Sequence, residues 1–318
     1  MKRGFRYWGA TLLAVSRLFF AADLSAQPRP QRAKILGIAH AGYFVSDPAA
    51  ALTFYKTFLG YAEPFSIPAR DSGSGTDVVK INDNQYLELS PAAPTGDGQL
   101  SHIAFYTDDA VRMRDYLAAH GFKVPADVPK GRTGNLNFTI TDPDGHRVEF
   151  VQYQSDSWTA QHRGKDMLPT RISQHMIHTG FTVGSVAAAM KFYGDVLGFR
   201  EFWRGSANGT ELSWINMRVP DGDDYVEFML YRELPPPDKR GTQNHICLVV
   251  PDIEKAVEQL KPRAAAAGYA RAIEVRTGRN RKRQANLYDP DGTRVELMEP
   301  DTIDGRPAPP STAPPPHP

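Results

Sequence analysis

The 318-residue chain repeats itself. The stretch "HAGYFVSDPAAALTFYKTFLGY", beginning at His40, aligns without a gap on "HTGFTVGSVAAAMKFYGDVLGF", beginning at His178, and "TDPDGHRVEF" at 141–150 returns as "YDPDGTRVEL" at 288–297. Such repetition marks a supersecondary unit used more than once, and it limits the possible folds before any single residue does. Weaker copies start at Leu100 ("LSHIAFYTDDAVRMRDYLAAHGF") and at Gln243 ("QNHICLVVPDIEKAVEQLKPRAAAAGY"), which makes four units.

Within a unit, the alternation in "AHAGYFVS" predicts a strand. After Asp47 and Pro48 the period changes, so that Ala51, Phe54, Tyr55, Phe58 and Leu59 share one helix face. Asp47 with Pro48 suits a helix start and Gly60 a helix stop; Ser185 and Gly198 hold the same places in the third unit. Two or three short strand-like runs follow each helix. The order is strand, helix, strand, strand, strand, four times over, which predicts an α+β chain of four βαβββ modules.

The last run of each unit carries a glutamate between apolar neighbours: Glu88, Glu149, Glu227 and Glu296. In "HRVEFVQ" the side chains of Val148 and Phe150 point one way and that of Glu149 the other, because successive strand residues alternate. Such glutamates are either ordinary polar residues on the wet face of a sheet or a set placed for chemistry. The histidines favour the second reading. His40, His102, His178 and His245 each stand at the first strand of a unit, four of the nine in the chain. Imidazole nitrogens and carboxylate oxygens together suit a divalent cation of Fe, Mn, Ni, Co or Zn, with positions left open for water or substrate. Cys247 is the only cysteine, so an intrachain disulfide and a thiol-rich metal site are both excluded.

The "H-x-G" first strands, the "FY...LG(Y/F)" helix ends at 54–61 and 192–199, and the two "DPDG.RVE" endings resemble the vicinal oxygen chelate superfamily. That family includes glyoxalase I, extradiol dioxygenases, fosfomycin-resistance proteins and methylmalonyl-CoA epimerase. The resemblance covers roughly residues 34 to 300. It implies two domains of paired modules, 34–154 and 171–300, each curling a sheet around a metal. It further implies metal ligation by His40, His102 and Glu149 in the first half and by His178, His245 and Glu296 in the second. Glu88 and Glu227 are then fourth ligands or catalytic bases. The family also allows modules to exchange partners, in which case His40 and Glu88 meet His245 and Glu296.

The ligand complement favours a glyoxalase-like lyase or isomerase, in which a metal polarises a bound oxygen chelator and a glutamate moves a proton. A ring-cleaving extradiol-type Fe(II) dioxygenase is the alternative, although the loops before "TDPDG" and "YDPDG" contain no histidine and Tyr288 directly abuts Asp289. A binding protein without turnover is the third reading, and eight retained ligand-type residues argue against it. The basic run "RTGRNRKRQ" at 276–284 either clamps an anionic substrate group or is a solvated hairpin. Tyr43, Phe181, Trp203 and Trp214 either wall a pocket or fill the core, and Cys247, on the strand face of His245, either lines the cavity or is a small buried group. Odd spacing from His178 turns His175 to the other face of its strand.

The ends differ from the middle. Residues 1–26 read as a secretory signal: Lys2, Arg3 and Arg6 precede the apolar run "WGATLLAV", and Ala26 offers a cleavage point. A periplasmic or secreted protein, free of the membrane once the signal is removed, is the expectation. Residues 301–318 are too rich in proline to build a core and are expected to form a flexible or polyproline-like, disordered tail. The net charge of +1 gives no reason to expect a nucleic-acid partner. The expected partner is a small-molecule substrate, and the chain is expected to be a monomer or homodimer.

Overall fold

Alternating apolar residues form strand β1 (Ile35–Val45), the centre of a seven-stranded sheet. The computed structural model describes residues 30–69, 74–93, 99–236 and 240–316, together with residues 1 and 4; the signal expected at 1–26 lies outside the described residues apart from those two. The first sheet also contains β2 (Ala62–Ile67), β3 (Thr76–Lys80), β4 (Tyr86–Pro91), β5 (Leu100–Thr107), β6 (Leu136–Thr141) and β7 (Arg147–Gln152), in the order β2-β3-β4-β1-β5-β7-β6. The second holds β8 (Met176–Val183), β9 (Arg200–Gly205), β10 (Trp214–Arg218), β11 (Tyr225–Leu230), β12 (His245–Val249), β13 (Arg276–Thr277), β14 (Lys282–Tyr288) and β15 (Arg294–Thr302), in the order β13-β14-β15-β12-β8-β11-β10-β9. Each half therefore joins two modules back to back. β1 runs antiparallel to β5 and parallel to β4, and β8 runs antiparallel to β12 and parallel to β11. Modules pair within halves, and the exchanged arrangement does not occur.

Helices α1 (Pro48–Leu52), α2 (Ala110–Ala119), α4 (Val186–Ala189) and α5 (Ile253–Ala264) follow the first strands of the four modules, and short α3 (Trp158–Gln161) lies in the link between halves. Their starts match the sequence. The Asp47 carboxylate accepts the Ala50 N–H at 3.1 Å and the Ser185 hydroxyl accepts that of Ala188 at 3.3 Å, each satisfying a donor that the first turn leaves free. The expected plain helices are corrected in one respect. Both α1 and α4 widen into π-helical stretches, Thr53–Phe58 and Met190–Val196, with Leu59 N–H bonded to Phe54 O and Leu197 N–H to Phe192 O, each at 3.0 Å. The wider turn buries consecutive aromatic residues together, Phe54 with Tyr55 and Phe192 with Tyr193. Gly60 ends the first stretch at φ 82°, and a Cβ there would lie 2.1 Å from Thr170 O.

One core joins the two halves. The Phe58 and Tyr269 rings stack at 4.3 Å, and Phe122 meets Phe192 at 5.4 Å; full burial of such a side chain stabilises by roughly 1.5–3 kcal/mol. Polar ties cross the same boundary in matched pairs. Tyr193 donates its hydroxyl to Asp142 at 3.0 Å and Tyr55 to Asp289 at 3.3 Å. These aspartates open the two "DPDG" turns, where Asp142 also accepts the backbone N–H of His146 and Asp289 that of Thr293, each at 2.8 Å. Gly145 and Gly292 turn the chain at φ 94° and 84°. Repetition of "FY" and of "DPDG" is thus a reciprocal clasp, the helix of one half held by the hairpin of the other.

The proline-rich end is not a free tail over its described part. β15 runs to Thr302, Ser311 N–H bonds Arg204 O at 2.9 Å, Leu212 N–H bonds Pro314 O at 2.8 Å, and Ala313 packs on the core. Proline keeps this strap extended while its few free N–H groups and carbonyls pair with the edge hairpin. Among the described residues no helix is long and apolar enough to cross a membrane.

Candidate metal centres

The register of the central strands brings the eight predicted residues to the concave faces of the sheets, four to each half. In the second half, Gly180 of β8 lies opposite His245 of β12 and beside Glu227 of β11, while His178 lies opposite Cys247, which pairs with Glu296 of β15. His178, Glu227, His245 and Glu296 are consequently on one face, with ligand atoms all within 4.8 Å of one another. Nε2 of His178 is 3.1 Å from Nε2 of His245; Glu296 lies 3.5 and 3.6 Å from these nitrogens, and Glu227 lies 3.4 Å from that of His245. The first half repeats the arrangement. His40 and His102 approach to 2.9 Å through Nε2, with Glu88 at 3.8 and 3.6 Å and Glu149 at 4.0 and 3.9 Å. The ligand atoms of His40, His102 and Glu149 all lie within 4.8 Å of one another, and Glu88 approaches both imidazoles slightly more closely than Glu149 does.

The "H-x-G" motif has a steric cause. A Cβ at Gly180 would lie 1.9 Å from Cε1 of His245, and one at Gly42 would lie 2.3 Å from Cε1 of His102. Glycine is required because the histidine of the neighbouring strand lays its ring over that position to reach its partner. His245 Nδ1 lies 2.8 Å from Gln243 O, a carbonyl that can only accept, so the Nδ1–H tautomer satisfies it and turns the Nε2 lone pair towards the centre.

Burial sets the electrostatics. Burial and the charge of Arg147 hold His102 down to about 3, and burial with the neighbouring His102 keeps His40 well below its usual value. Burial and repulsion from Glu149 push Glu88 up to about 8, and burial pushes Glu149 up to about 7 despite the 2.8 Å hydrogen bond from Asn137. In the second half burial opposes ionisation of Glu296, but its interactions with the facing His178 and His245 side chains outweigh it and hold it well below the usual carboxylate range. Buried imidazoles facing buried carboxylates are what a divalent cation suits, since its charge offsets the desolvation of the acids. Metal–ligand bonds of ~2.0–2.3 Å place opposed donors about 4–4.6 Å apart, the scale of both clusters.

Two further side chains per half escaped the sequence reading. Tyr86 stacks on His40 with ring centres 4.5 Å apart, and Tyr225 lies 4.5 Å from His178. Arg294 lays its guanidinium against the His245 ring, 2.6 Å from Nδ1 and 3.0 Å from Nε2, and Arg147 is its counterpart in the first half. All four stand two residues before a glutamate, so strand alternation alone would have placed them on the same face. His175 is turned away, as expected, and pairs with Asp224 at 2.8 Å. Tyr43 and Phe181 are core residues, and Cys247 is fully buried beside the second cluster. Trp203 and Trp214, by contrast, wall a cavity of about 350 Å³ whose floor includes His178, Glu227 and Glu296.

Two mixed sheets, each built from two modules and each enclosing a buried His/Glu cluster, define a two-domain protein of paired βαβββ modules. The chain belongs to the Glyoxalase/Bleomycin resistance protein/Dioxygenase superfamily, whose model matches residues 37–150 and 175–297. No curated protein shows significant sequence similarity to it. Among solved structures it is similar to an extradiol ring-cleaving dioxygenase from B. fuscum, at 18% identity and a TM-score of 0.62 over 90% of this chain and 78% of that one. It is also similar to the 2,3-dioxygenase LapB from Pseudomonas sp. KL28, at 19% identity and a TM-score of 0.61 over 87% of this chain and 97% of that one. At these identities the likeness is one of fold.

Proposed function

We propose that the chain is a divalent-metal-dependent lyase or isomerase acting on a small molecule with two neighbouring oxygens, and that the second half is its working centre. The observation that carries this reading is the convergence of two histidines and two glutamates, His178, His245, Glu227 and Glu296, three of which, His178, Glu227 and Glu296, line a cavity. His178, His245 and Glu296 would hold the ion, with Glu227 as fourth ligand or base. When bound, the ion would supply a Lewis acid that polarises the two oxygens and acidifies the C–H on the carbon next to the polarised carbonyl. Glu227 contacts a single histidine where Glu296 approaches both. It is therefore the carboxylate freer to accept the proton from one carbon and return it to the next. The first half, through His40, His102 and Glu149 with Glu88 as base, is a second centre of the same design.

A ring-cleaving dioxygenase is the second reading, favoured by the fold shared with the two dioxygenases and by a facial group of His178, His245 and Glu296. Export, the reading of residues 1–26, favours substrates other than cytosolic thiol adducts. The test is a screen of the metal-loaded protein against α-ketoaldehyde adducts and catechols, with and without oxygen. Solvent deuterium entering the substrate carbon without oxygen uptake, and lost in Glu227→Gln with metal retained, is the expected result. Oxygen consumption with a catechol, undiminished in Glu227→Gln, would replace the first reading by the second.

A further inference from the structure

The four arginines of the basic run at 276–284 sort into two groups. Arg281 pairs with Asp304 of the carboxy-terminal strap and Arg283 with Glu254 of α5, both outside the cavity. Arg276 and Arg279 line the cavity instead, and neither makes an ion pair among the described residues. Arg279 has one hydrogen bond, to Ala207 O at 2.6 Å, which positions the guanidinium without neutralising it. Among the described residues the only acids lining the cavity are Glu227 and Glu296, beside His178, and its third arginine, Arg294, lies against His245. The rim is therefore cationic and unpaired while the floor is committed.

Between rim and floor stand the two tryptophans. The Trp203 ring lies along its own strand over Gly205, where a Cβ would come within 2.2 Å of the indole, so glycine is what lets the ring form a wall. Trp203 Nε1 is buried without a hydrogen-bond partner, a donor that the protein itself leaves unused. Trp203 and Arg279 also line an outer cavity of about 300 Å³ bounded by Pro309 and Ser311 of the strap. Trp203 and Arg279 are thus common to the walls of both cavities.

We infer that Arg276 and Arg279 form an anion subsite, and that the substrate is an organic anion: an oxygen-chelating head, a planar apolar segment between Trp203 and Trp214, and a carboxylate or phosphate at the rim. The inference rests on the metal-dependent reading for the head group, and on the rim's own geometry for the anion. Guanidinium forks bind carboxylate and phosphate through paired charge-assisted hydrogen bonds, which favours them over neutral groups of the same shape.

Titration of the full-length, metal-loaded protein with phenyl phosphate, benzoate and benzyl alcohol, read by tryptophan fluorescence, tests this. The two anions are expected to bind at least about tenfold more tightly than the alcohol, since they alone gain those hydrogen bonds. The double variant Arg276→Gln/Arg279→Gln loses that preference with its metal content and its affinity for benzyl alcohol unchanged. Arg283→Gln, on the outer face, keeps it. Equal binding of anions and alcohol by the wild type, or an unaltered preference in the double variant, overturns the subsite. A protein that binds no metal yet still prefers the anions retains the subsite and refutes the catalytic reading, so the two fail separately.

Discussion

Gly180→Ala should empty the second centre without unfolding the chain. The added methyl would lie 1.9 Å from Cε1, 2.3 Å from Nδ1 and 2.7 Å from Nε2 of His245. Carbon atoms in contact sit ~3.5–4.0 Å apart, so the ring must move by roughly 1.5 Å or more. Metal–ligand distances tolerate only about 0.2 Å. His245 is fully buried and its Nδ1 is held by Gln243 O, so the ring has no free direction in which to yield while keeping Nε2 on the ion. Changes that merely misorient a ligand cost about 10–100-fold in affinity, and a displaced ring should cost at least the upper figure. Competition with a chromophoric chelator measures the constant, and a melting curve verifies folding. Gly194→Ala is the control, because the nearest atom to its new methyl is Met217 Cε at an ordinary 3.7 Å. A Gly180→Ala protein that binds its second-centre metal as tightly as wild type would refute the steric account of the motif.

Three other outcomes are expected. Gly42→Ala should act on the first centre alone, because its methyl would meet His102 at 2.3 Å, and the double glycine variant should bind no metal in a chelator competition. Tyr193→Phe removes a buried 3.0 Å bond to Asp142 across the two halves and should cost about 1–3 kcal/mol in urea unfolding, with Tyr55→Phe, at 3.3 Å, costing less; an unchanged midpoint in both would discount the clasp. The hydrogen bond to Asp224 raises the pKa of His175 above its usual 6.5. Its stabilisation is therefore fully present below pH 6.5 and lost as pH rises through the raised value, a contribution below about 1 kcal/mol because the imidazole is partly exposed. The wild type should exceed His175→Gln in melting temperature more at pH 6 than at pH 9, and a gap that widened with pH would contradict the pairing.

The repeat made the fold legible because four modules impose the same periodicity four times, and strand parity then put every histidine and glutamate on its correct face. What parity could not supply was distance between strands far apart in sequence. Whether His40 meets His102 or His245 depends on which sheet edges join, and nothing local to His40 encodes that. The π-helical turns were hidden for a similar reason, since a wider turn is selected by two neighbouring aromatics both finding space in a core shared with the other half. Tyr86, Arg147, Tyr225 and Arg294 were readable and went unread, two residues before each glutamate. The strap defied its composition: proline prevents a core but does not prevent an extended segment from pairing along an edge hairpin, as the bonds at Ser311 and Pro314 show.

The central claim is that His178, His245 and Glu296 hold a divalent ion, with Glu227 beside it. Elemental analysis of the purified, metal-replete protein, alongside His102→Ala and His245→Ala, tests it most directly. The account predicts bound metal in the wild type, loss of the second-centre share in His245→Ala and loss of the first-centre share in His102→Ala. A wild-type protein without metal, or a His245→Ala variant with its full complement, would contradict it.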